Sequence, residues 1–391
     1  MAKQQSQGTK PNGKRLTPKQ RAARKRRNII IFIVELFVLA IVVIGAWAII
    51  NLTKVEHHDL NVGTQDDIDN GGNVDVVVNK DVYDNYTEPE NPMARYMQVA
   101  LFGLDSRKRK LGSEASRSDT IIIACIDTQE KTIKLVSVYR DTYLNLTNGT
   151  YNKCNGAYAA GGEARAMTML NMNLDLYITD YVTVGFWGMI DAIDKLGGVY
   201  IDVQQSEIVH LNSYQKSMVG TTTDGVNYDA TAGVDYTPVT ESGYQRLNGL
   251  QATAYCRIRY VGDDYGRTER QRKVIAAMME AARGMSLSEL TAILNSDVFE
   301  EFSTSIDLDV IISMLGDIGE YEIVESCGFP AMDMLQSGTI GGKGSCVVPM
   351  DLTANVTKLH EILFGVTDYQ PSQIVQEYSS QIQQDTAGYL R

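Results

Sequence analysis

Cysteine is scarce in this 391-residue chain: five are scattered along it, too few for a disulfide scaffold, and no CxxC pair offers a zinc or thioredoxin-type site. Histidine is scarcer still. His57, His58, His210 and His360 are the four, two of them adjacent in a polar stretch, which argues against a histidine-built metal centre. No Ser-His-Asp or Cys-His arrangement points to nucleophilic catalysis. Apolar residues are not lacking. At 44% hydrophobic and 21% charged, the chain buries a sizeable core, and wholesale disorder is excluded. No internal repeat is visible, so the length accommodates one large domain or two ordinary ones, with tails.

Acidic side chains are absent from residues 1–27, which carry ten Lys or Arg. An apolar run follows at 29–50, broken only by Glu35. Its 22 residues span about 33 Å as a helix at ~1.5 Å per residue, enough to cross a bilayer. A cleaved signal peptide is the alternative; the length of the run and the poor cleavage site Ala46-Trp47-Ala48 stand against it. Glu35 is either a partner contact or a tolerated cost of about a few kcal/mol. Beyond residue 50, 26 basic side chains face 47 acidic ones, a net of −21. The basic flank stays in the cytoplasm, which predicts a single-pass protein of the cell membrane with the remainder outside the cell. The basic tail orients the anchor and touches anionic lipid. An acidic outer domain repels DNA phosphate, so no nucleic-acid partner is expected.

The organisation expected is a cytoplasmic tail (1–28), a transmembrane helix (29–50), an extracellular stalk (51–94), a folded domain (95–365) and a flexible C-terminal tail (366–391). Asn, Asp and Gly dominate the stalk, with a short strand at 74–78. Residues 97–104 read as a compact apolar strand. The run TIIIACID at 120–127 suits a strand buried on both faces. A polar turn at 128–131 joins it to 132–138 as a hairpin. Helical patterns are expected at 161–173, 186–196, 266–284, 287–294 and 308–315, with strands at 181–184 and 199–203. Residues 204–245 form a long polar insertion without clear periodicity, a feature that is often functional. Residues 255–261 read as extended. The fold class is α/β.

Charged residues cluster at strand ends. Asp105 follows the first strand, Arg117-Ser118-Asp119 precedes the buried run, and Arg140-Asp141 follows its hairpin partner. A hairpin makes Asp119 and Arg140 neighbours. If 97–104 runs parallel to 132–138, Asp105 joins them. Carboxylates beside arginines suit a metal-bound phosphate, because Mg²⁺ takes one or two carboxylates plus phosphate oxygens and guanidinium forks match phosphate. Ordinary ion pairing at strand ends is the alternative. A second cluster holds Arg257, Arg259, Asp264, Arg267, Arg270 and Gln271. Arg257 and Arg259 share a face if extended. Arg267 and Gln271 share one on a helix. A solvated basic face is the plainer reading. Lys153 lies between the clusters, ahead of Gly161-Gly162, where it can reach a phosphate or simply be solvated. Cys154 and Cys256 read as packing residues. A Cys327–Cys346 disulfide remains open at this stage.

The stretches LFGLDSR, RSDTIIIACID, SVYRDT, NKCNGAYAAGG, DKLGGVYIDV and GYQRLNGLQATAYCRIRYVGDDYGRTERQRKVI, over roughly 96–285, resemble the LytR-CpsA-Psr family of cell-wall proteins. The resemblance implies an α/β/α sandwich with a central mixed β-sheet, preceded by a single transmembrane helix, and a greasy pocket for a polyprenyl tail. It implies a Mg²⁺-dependent phosphotransferase (Mn²⁺ being the alternative metal) in a Gram-positive-type envelope. Such an enzyme moves a glycan from undecaprenyl-pyrophosphate to peptidoglycan, through a phosphodiester to a muramic sugar hydroxyl. Asp105 and Asp119 match the metal-associated acids. Arg117, Arg140, Arg257, Arg259, Arg267 and Gln271 match pyrophosphate-holding positions, and Lys153 matches less closely. The implied catalytic set is Asp119, Arg140 and Asp105, with Asp119 orienting or deprotonating the acceptor. Tyr139 departs from the family's usual proline. A polyprenyl-pyrophosphate hydrolase and a non-catalytic lipid or glycan binder remain alternatives, and the residues do not say which polymer is moved.

Overall fold

A computed structural model describes residues 56–86, 88, 91–105, 116–220, 227–296 and 301–390. The expected cytoplasmic tail (1–28) and membrane helix (29–50) lie outside the described residues. Among those described, no helix is long and apolar enough to cross a membrane.

Seven strands build the central sheet: β1 (Glu56–His57), β2 (Tyr96–Leu104), β3 (Ser118–Asp127), β4 (Thr132–Val138), β5 (Asp180–Val184), β6 (Phe302–Thr304) and β7 (Glu322–Phe329). Their order across the sheet is β1-β6-β5-β2-β3-β4-β7. The sheet is mixed: β2 and β4 lie antiparallel to β3, while β5 is parallel to β2 and β7 to β4. The helices that matter for the site are α1 (Gly156–Leu174), α2 (Phe186–Lys195), α3 (Gln205–Val219), α4 (Gly249–Tyr255), α5 (Asp263–Arg283), α6 (Leu352–Phe364) and α7 (Gln373–Thr386).

The β-branched run of β3 shows why three layers form. Ile121 and Ile123 join a core with Met167 and Leu170 of α1, Leu359 of α6 and Ile382 of α7. Ile122 and Ala124 point the other way, toward Ile275 and Met279 of α5. A strand covered on both faces loses the alternation of a half-exposed one. The result is the expected α/β/α sandwich. A third core, with Ile193, Val199, Ile201, Leu211, Leu247 and Tyr255, binds α2, α3 and α4 to a two-stranded ribbon of Val199–Val203 and Gly243–Leu247.

Four expectations need correction. The insertion 204–245 is not formless: it holds α3 and the ribbon strand Gly243–Leu247. Only Ile208 and Leu211 supply buried apolar side chains to α3, so its periodicity is faint, but a capping box from Gln204 to Glu207 starts it. Residues 255–261 are not extended. Asn248 and Gln251 cap α4, which ends at Tyr255, and the chain then turns. The final segment 366–391 carries α7, whose buried stripe of Val375, Ser379, Ile382 and Thr386 is half polar and so escapes a hydrophobicity reading. The stalk also packs into the domain: Val76, Val78, Val82 and Met93 sit in the main core, and Tyr86 stacks on Tyr177 with ring centroids 3.7 Å apart. All five cysteines, Cys327 and Cys346 included, are free.

Candidate active site

Hairpin register brings the first charged cluster together. Ile122 of β3 pairs with Ser137 of β4, so the start of one strand lies beside the end of the other. Arg140 Nη1 accordingly donates to Asp119 Oδ1 at 2.8 Å, across 21 residues of sequence. Strand β2 runs antiparallel to β3 and hence in the direction of β4, ending with Leu104 opposite Ser118. Asp105 therefore reaches the same sheet edge.

The second cluster converges on the same point. Arg259 Nη2 donates to Asp119 Oδ2 at 3.2 Å, and Arg267 Nη2 donates to the Asp119 carbonyl at 3.0 Å. Arg257 Nη2 stands 3.9 Å from Asp105 Oδ1, its guanidinium 4.4 Å from the ring centre of Phe186 and 5.5 Å from that of Tyr214. Cation–π contact with two rings restrains that guanidinium group. The turn carrying Arg257 and Arg259 is itself held. Arg270, buried on α5, donates to the carbonyls of Ile258 at 3.2 Å and Val261 at 2.8 Å and is paired with Glu207 of α3 at 2.7 Å.

Behind these arginines opens a cavity of about 410 Å³ with walls of Leu101, Ile122, Val182, Met189, Val274 and Met278. Asp105, Asp119, Arg257, Arg259, Arg267 and Gln271 line it as well. Arg267 is only 2% exposed, and burial pushes its pKa down to about 10, which leaves it charged at neutral pH. Its Nε and the Nε of Arg140 are buried without hydrogen-bond partners. An unmet buried donor costs about 1–3 kcal/mol. The Nε of Arg140 faces the carboxylates of Asp264 and Asp141 at 3.6 and 3.8 Å, so both guanidinium groups are held in place by charge more than by hydrogen bonds at Nε.

Not every expected residue joins. Arg117 is exposed and does not line the cavity. Lys153 Nζ lies 3.2 Å from Asp141 Oδ1, and Asp141 Oδ2 lies 3.8 Å from Arg140 Nε, so the lysine stands one carboxylate behind the clamp. Asp264 has a larger place than its sequence context suggested. Oδ1 is 2.8 Å from Arg267 Nη2 and 3.6 Å from Arg140 Nε, and burial raises its pKa against the pull of both guanidinium groups. Its spacing of three from Arg267 on a helix was the available signal. Phe186, Tyr214 and Glu207 had none, since they come from other segments. Cys256 is a packing residue, its thiol pushed up to about 12 by burial.

Among the described residues, no group of three or more His, Cys, Asp or Glu forms a cation cage. Mg²⁺ does not require one when a diphosphate brings oxygens of its own. The donor chemistry fits: Asp105 and Asp119 are hard carboxylates on one rim, and Asp105 lies beyond hydrogen-bond reach of its guanidinium neighbour.

Tyr139 also fits its surroundings. The ring is buried, lies edge-on to Tyr265 with centroids 4.7 Å apart, and leaves no room at Gly328, where an added Cβ would sit 2.0 Å from the Tyr139 hydroxyl. Gly328→Ala should therefore cost about 1–3 kcal/mol through overpacking. Thermal melts should show recovery in Gly328→Ala/Tyr139→Leu; equal loss in both variants would locate the cost in the backbone instead.

The domain is thus a three-layer α/β/α sandwich with an apolar cavity whose lining includes three arginines, Arg257, Arg259 and Arg267. Residues 62–341 match the LytR_cpsA_psr family, and the chain belongs to it. The polyisoprenyl-teichoic acid–peptidoglycan teichoic acid transferase TagU of Enterococcus faecalis is 32% identical over 215 residues, 54% of this chain and 62% of that one. TagV of Bacillus subtilis, with the same description, is 28% identical over 222 residues, 55% of this chain and 50% of that one. The aligned part thus covers less than two thirds of either relative. The crystal structure of B. subtilis TagV superposes with a TM-score of 0.54 at 24% identity, covering 71% of this chain and 99% of that one. TagT bound to LIIa-WTA superposes at 0.51 and 20% identity, covering 77% and 94%. At these identities the structural likeness is one of fold.

Proposed function

We propose that this protein is a glycopolymer phosphotransferase that moves a glycan from a polyprenyl-pyrophosphate carrier, undecaprenyl-pyrophosphate in a Gram-positive-type envelope, onto a muramic sugar hydroxyl of peptidoglycan. One observation carries the reading: four arginines from three segments meet Asp119 and Asp105 at the mouth of an apolar cavity. The names of TagU and TagV, and the TagT complex with LIIa-WTA, support it as properties of those relatives. Residues 29–50 serve as the membrane anchor in this proposal, with residues 1–28 in the cytoplasm and the catalytic domain outside.

The chemistry follows from the residues. The polyprenyl chain enters the cavity, and the diphosphate takes the forks of Arg140, Arg257, Arg259 and Arg267. Asp119 meets three of these guanidinium groups, those of Arg140, Arg259 and Arg267, so the diphosphate displaces an internal carboxylate and frees it. The acceptor hydroxyl attacks the phosphorus that bears the glycan. A new O–P bond forms, the bond to the bridging oxygen breaks, and polyprenyl phosphate leaves while the hydroxyl proton passes to a carboxylate, assigned to Asp119. Guanidinium groups fixed before reaction stabilise the developing charge without reorganisation. Mg²⁺ held by Asp105 and Asp119, or Mn²⁺ in its place, would neutralise further charge on the diphosphate.

Full-length protein in detergent, incubated with lipid-linked glycan, Mg²⁺ and peptidoglycan, tests the reading. Polymer on the wall supports transfer. Phosphate release alone indicates a hydrolase, and neither product indicates a binder. Asp105→Asn should raise the Mg²⁺ concentration needed for half-maximal transfer by about tenfold, the scale of losing one ligand-shell carboxylate. An unchanged metal dependence would remove Asp105 from the metal site.

A further inference from the structure

One exposed tyrosine, stacked on a half-buried histidine, is the chain neighbour of the clamp residue Arg259. Tyr260 follows Arg259 directly, yet does not line the cavity, and it is 78% exposed. Its ring lies on the imidazole of His210, with centroids 5.0 Å apart and planes 19° from parallel. The turn that presents Tyr260 is rigid, because Arg270 holds the carbonyls on both sides of it, at Ile258 and Val261. An exposed ring on a fixed turn, stacked rather than tucked in, is a surface kept for contact.

Helix α3 connects this stack to the cavity at one end and to a groove at the other. Glu207, His210 and Tyr214 are three and four residues apart, on one face. Tyr214 lines the cavity beside Arg257. At the other end Glu207 borders an open groove of about 520 Å³, also lined by Tyr200, Asp202, Gln204 and Lys273. Tyr200 is exposed there and stacks on Tyr244, with centroids 5.4 Å apart. From Tyr214 to Glu207 the helix advances roughly 10 Å at ~1.5 Å per residue. Flat rings with hydroxyl and carboxylate neighbours suit sugars, whose pyranose faces are apolar and whose edges are polar.

Direction of attack selects which glycan. In phosphoryl transfer the attacking and leaving oxygens lie roughly in line. The leaving lipid phosphate belongs on the cavity side, so the acceptor hydroxyl arrives from outside the mouth; Tyr260 is joined to Arg259 of the cavity wall yet is exposed and outside the lining. We propose that the Tyr260–His210 stack and the groove running past Glu207 to Tyr200 form the binding track for the acceptor glycan strand of peptidoglycan. This inference rests on the transfer reading above, and its test separates the two.

The experiment compares full-length wild type with Tyr260→Ala and Tyr200→Ala. Transfer kinetics are read against varied peptidoglycan and varied lipid-linked donor, and binding of soluble unsubstituted glycan strands is read by calorimetry. The expected result is a KM for acceptor raised on the order of tenfold in Tyr260→Ala, as for loss of a contact hot spot. Donor KM should stay within about twofold, strand binding should weaken in parallel, and Tyr260→Phe should restore both. Unaltered acceptor KM and strand binding in Tyr260→Ala overturns the track while leaving transfer intact. A rise in donor KM alone overturns it too, by assigning the stack to the donor. Should wild type bind strands through Tyr260 but transfer nothing, the track stands and the transfer reading falls.

Discussion

Arg267→Met is expected to lower kcat/KM for polymer transfer by about 10³-fold, the upper range for removing one preorganised donor from a site of charge development. Arg267 is the most enclosed member of the clamp, and it lines the cavity beside Asp119. Methionine keeps the length but breaks a buried ion pair, so the variant's melting is read alongside its kinetics. Arg267→Lys restores the charge without the planar fork and should recover only part of the rate. The cost to stability falls on Asp264, which loses the guanidinium 2.8 Å away and keeps Arg140 at 3.6 Å. Burial holds the folded pKa of Asp264 above its unfolded value. Ionised Asp264 therefore opposes folding at neutral pH. That opposition fades as pH falls through the raised folded value and is gone below the ordinary carboxylate range. Melts of Arg267→Met should show its deficit shrinking on acidification. Transfer within tenfold of wild type would exclude Arg267 as a diphosphate ligand.

The same residues show how far the sequence could be read. The run 120–127 announces a strand buried on both faces, and hairpin geometry alone then brings Asp119 to Arg140. That inference needs only local pairing, which is why it survives in the structure. Arg257 and Arg259 reach the site for a different reason from the one their spacing suggested. Alternation implied a strand, whereas α4 ends just before them and Arg270 fixes the turn. Spacing of two places side chains on one face only if the backbone is extended, and no periodicity reports a turn clamped by a side chain of the helix that follows it. Helices α3 and α7 were hidden because polar residues fill much of their buried stripes. Gln215, Ser379 and Thr386 are buried as polar side chains, and hydropathy counts them as exposed. Arg117 and Lys153 were assigned from their place between the motifs, whereas Arg117 is exposed outside the cavity lining and Lys153 pairs with Asp141. The aromatic walls of the clamp left no trace, because Phe186 and Tyr214 meet Arg257 only after three separate segments assemble.

Glu207→Ala should be the most destabilising single change around the site, by about 3–5 kcal/mol, because it strands a buried guanidinium. Glu207 and Arg270 are both almost fully enclosed and meet at 2.7 Å, the carboxylate reaching from α3 and the guanidinium from α5. A melting-temperature loss on the order of 5–10 °C is expected for a domain of this size. Replacing both partners, Glu207→Leu with Arg270→Met, removes the uncompensated charge and should recover most of the stability, a coupling that a double-mutant cycle reads directly. Transfer should not recover with it. Methionine at 270 donates nothing to the carbonyls of Ile258 and Val261, so the turn bearing Arg257 and Arg259 loses its anchor while the fold regains its stability. A stable double variant with low kcat separates Arg270's positioning role from its part in folding. A double variant with full activity would show instead that the contacts of Arg257 with Phe186 and Tyr214 orient the turn unaided.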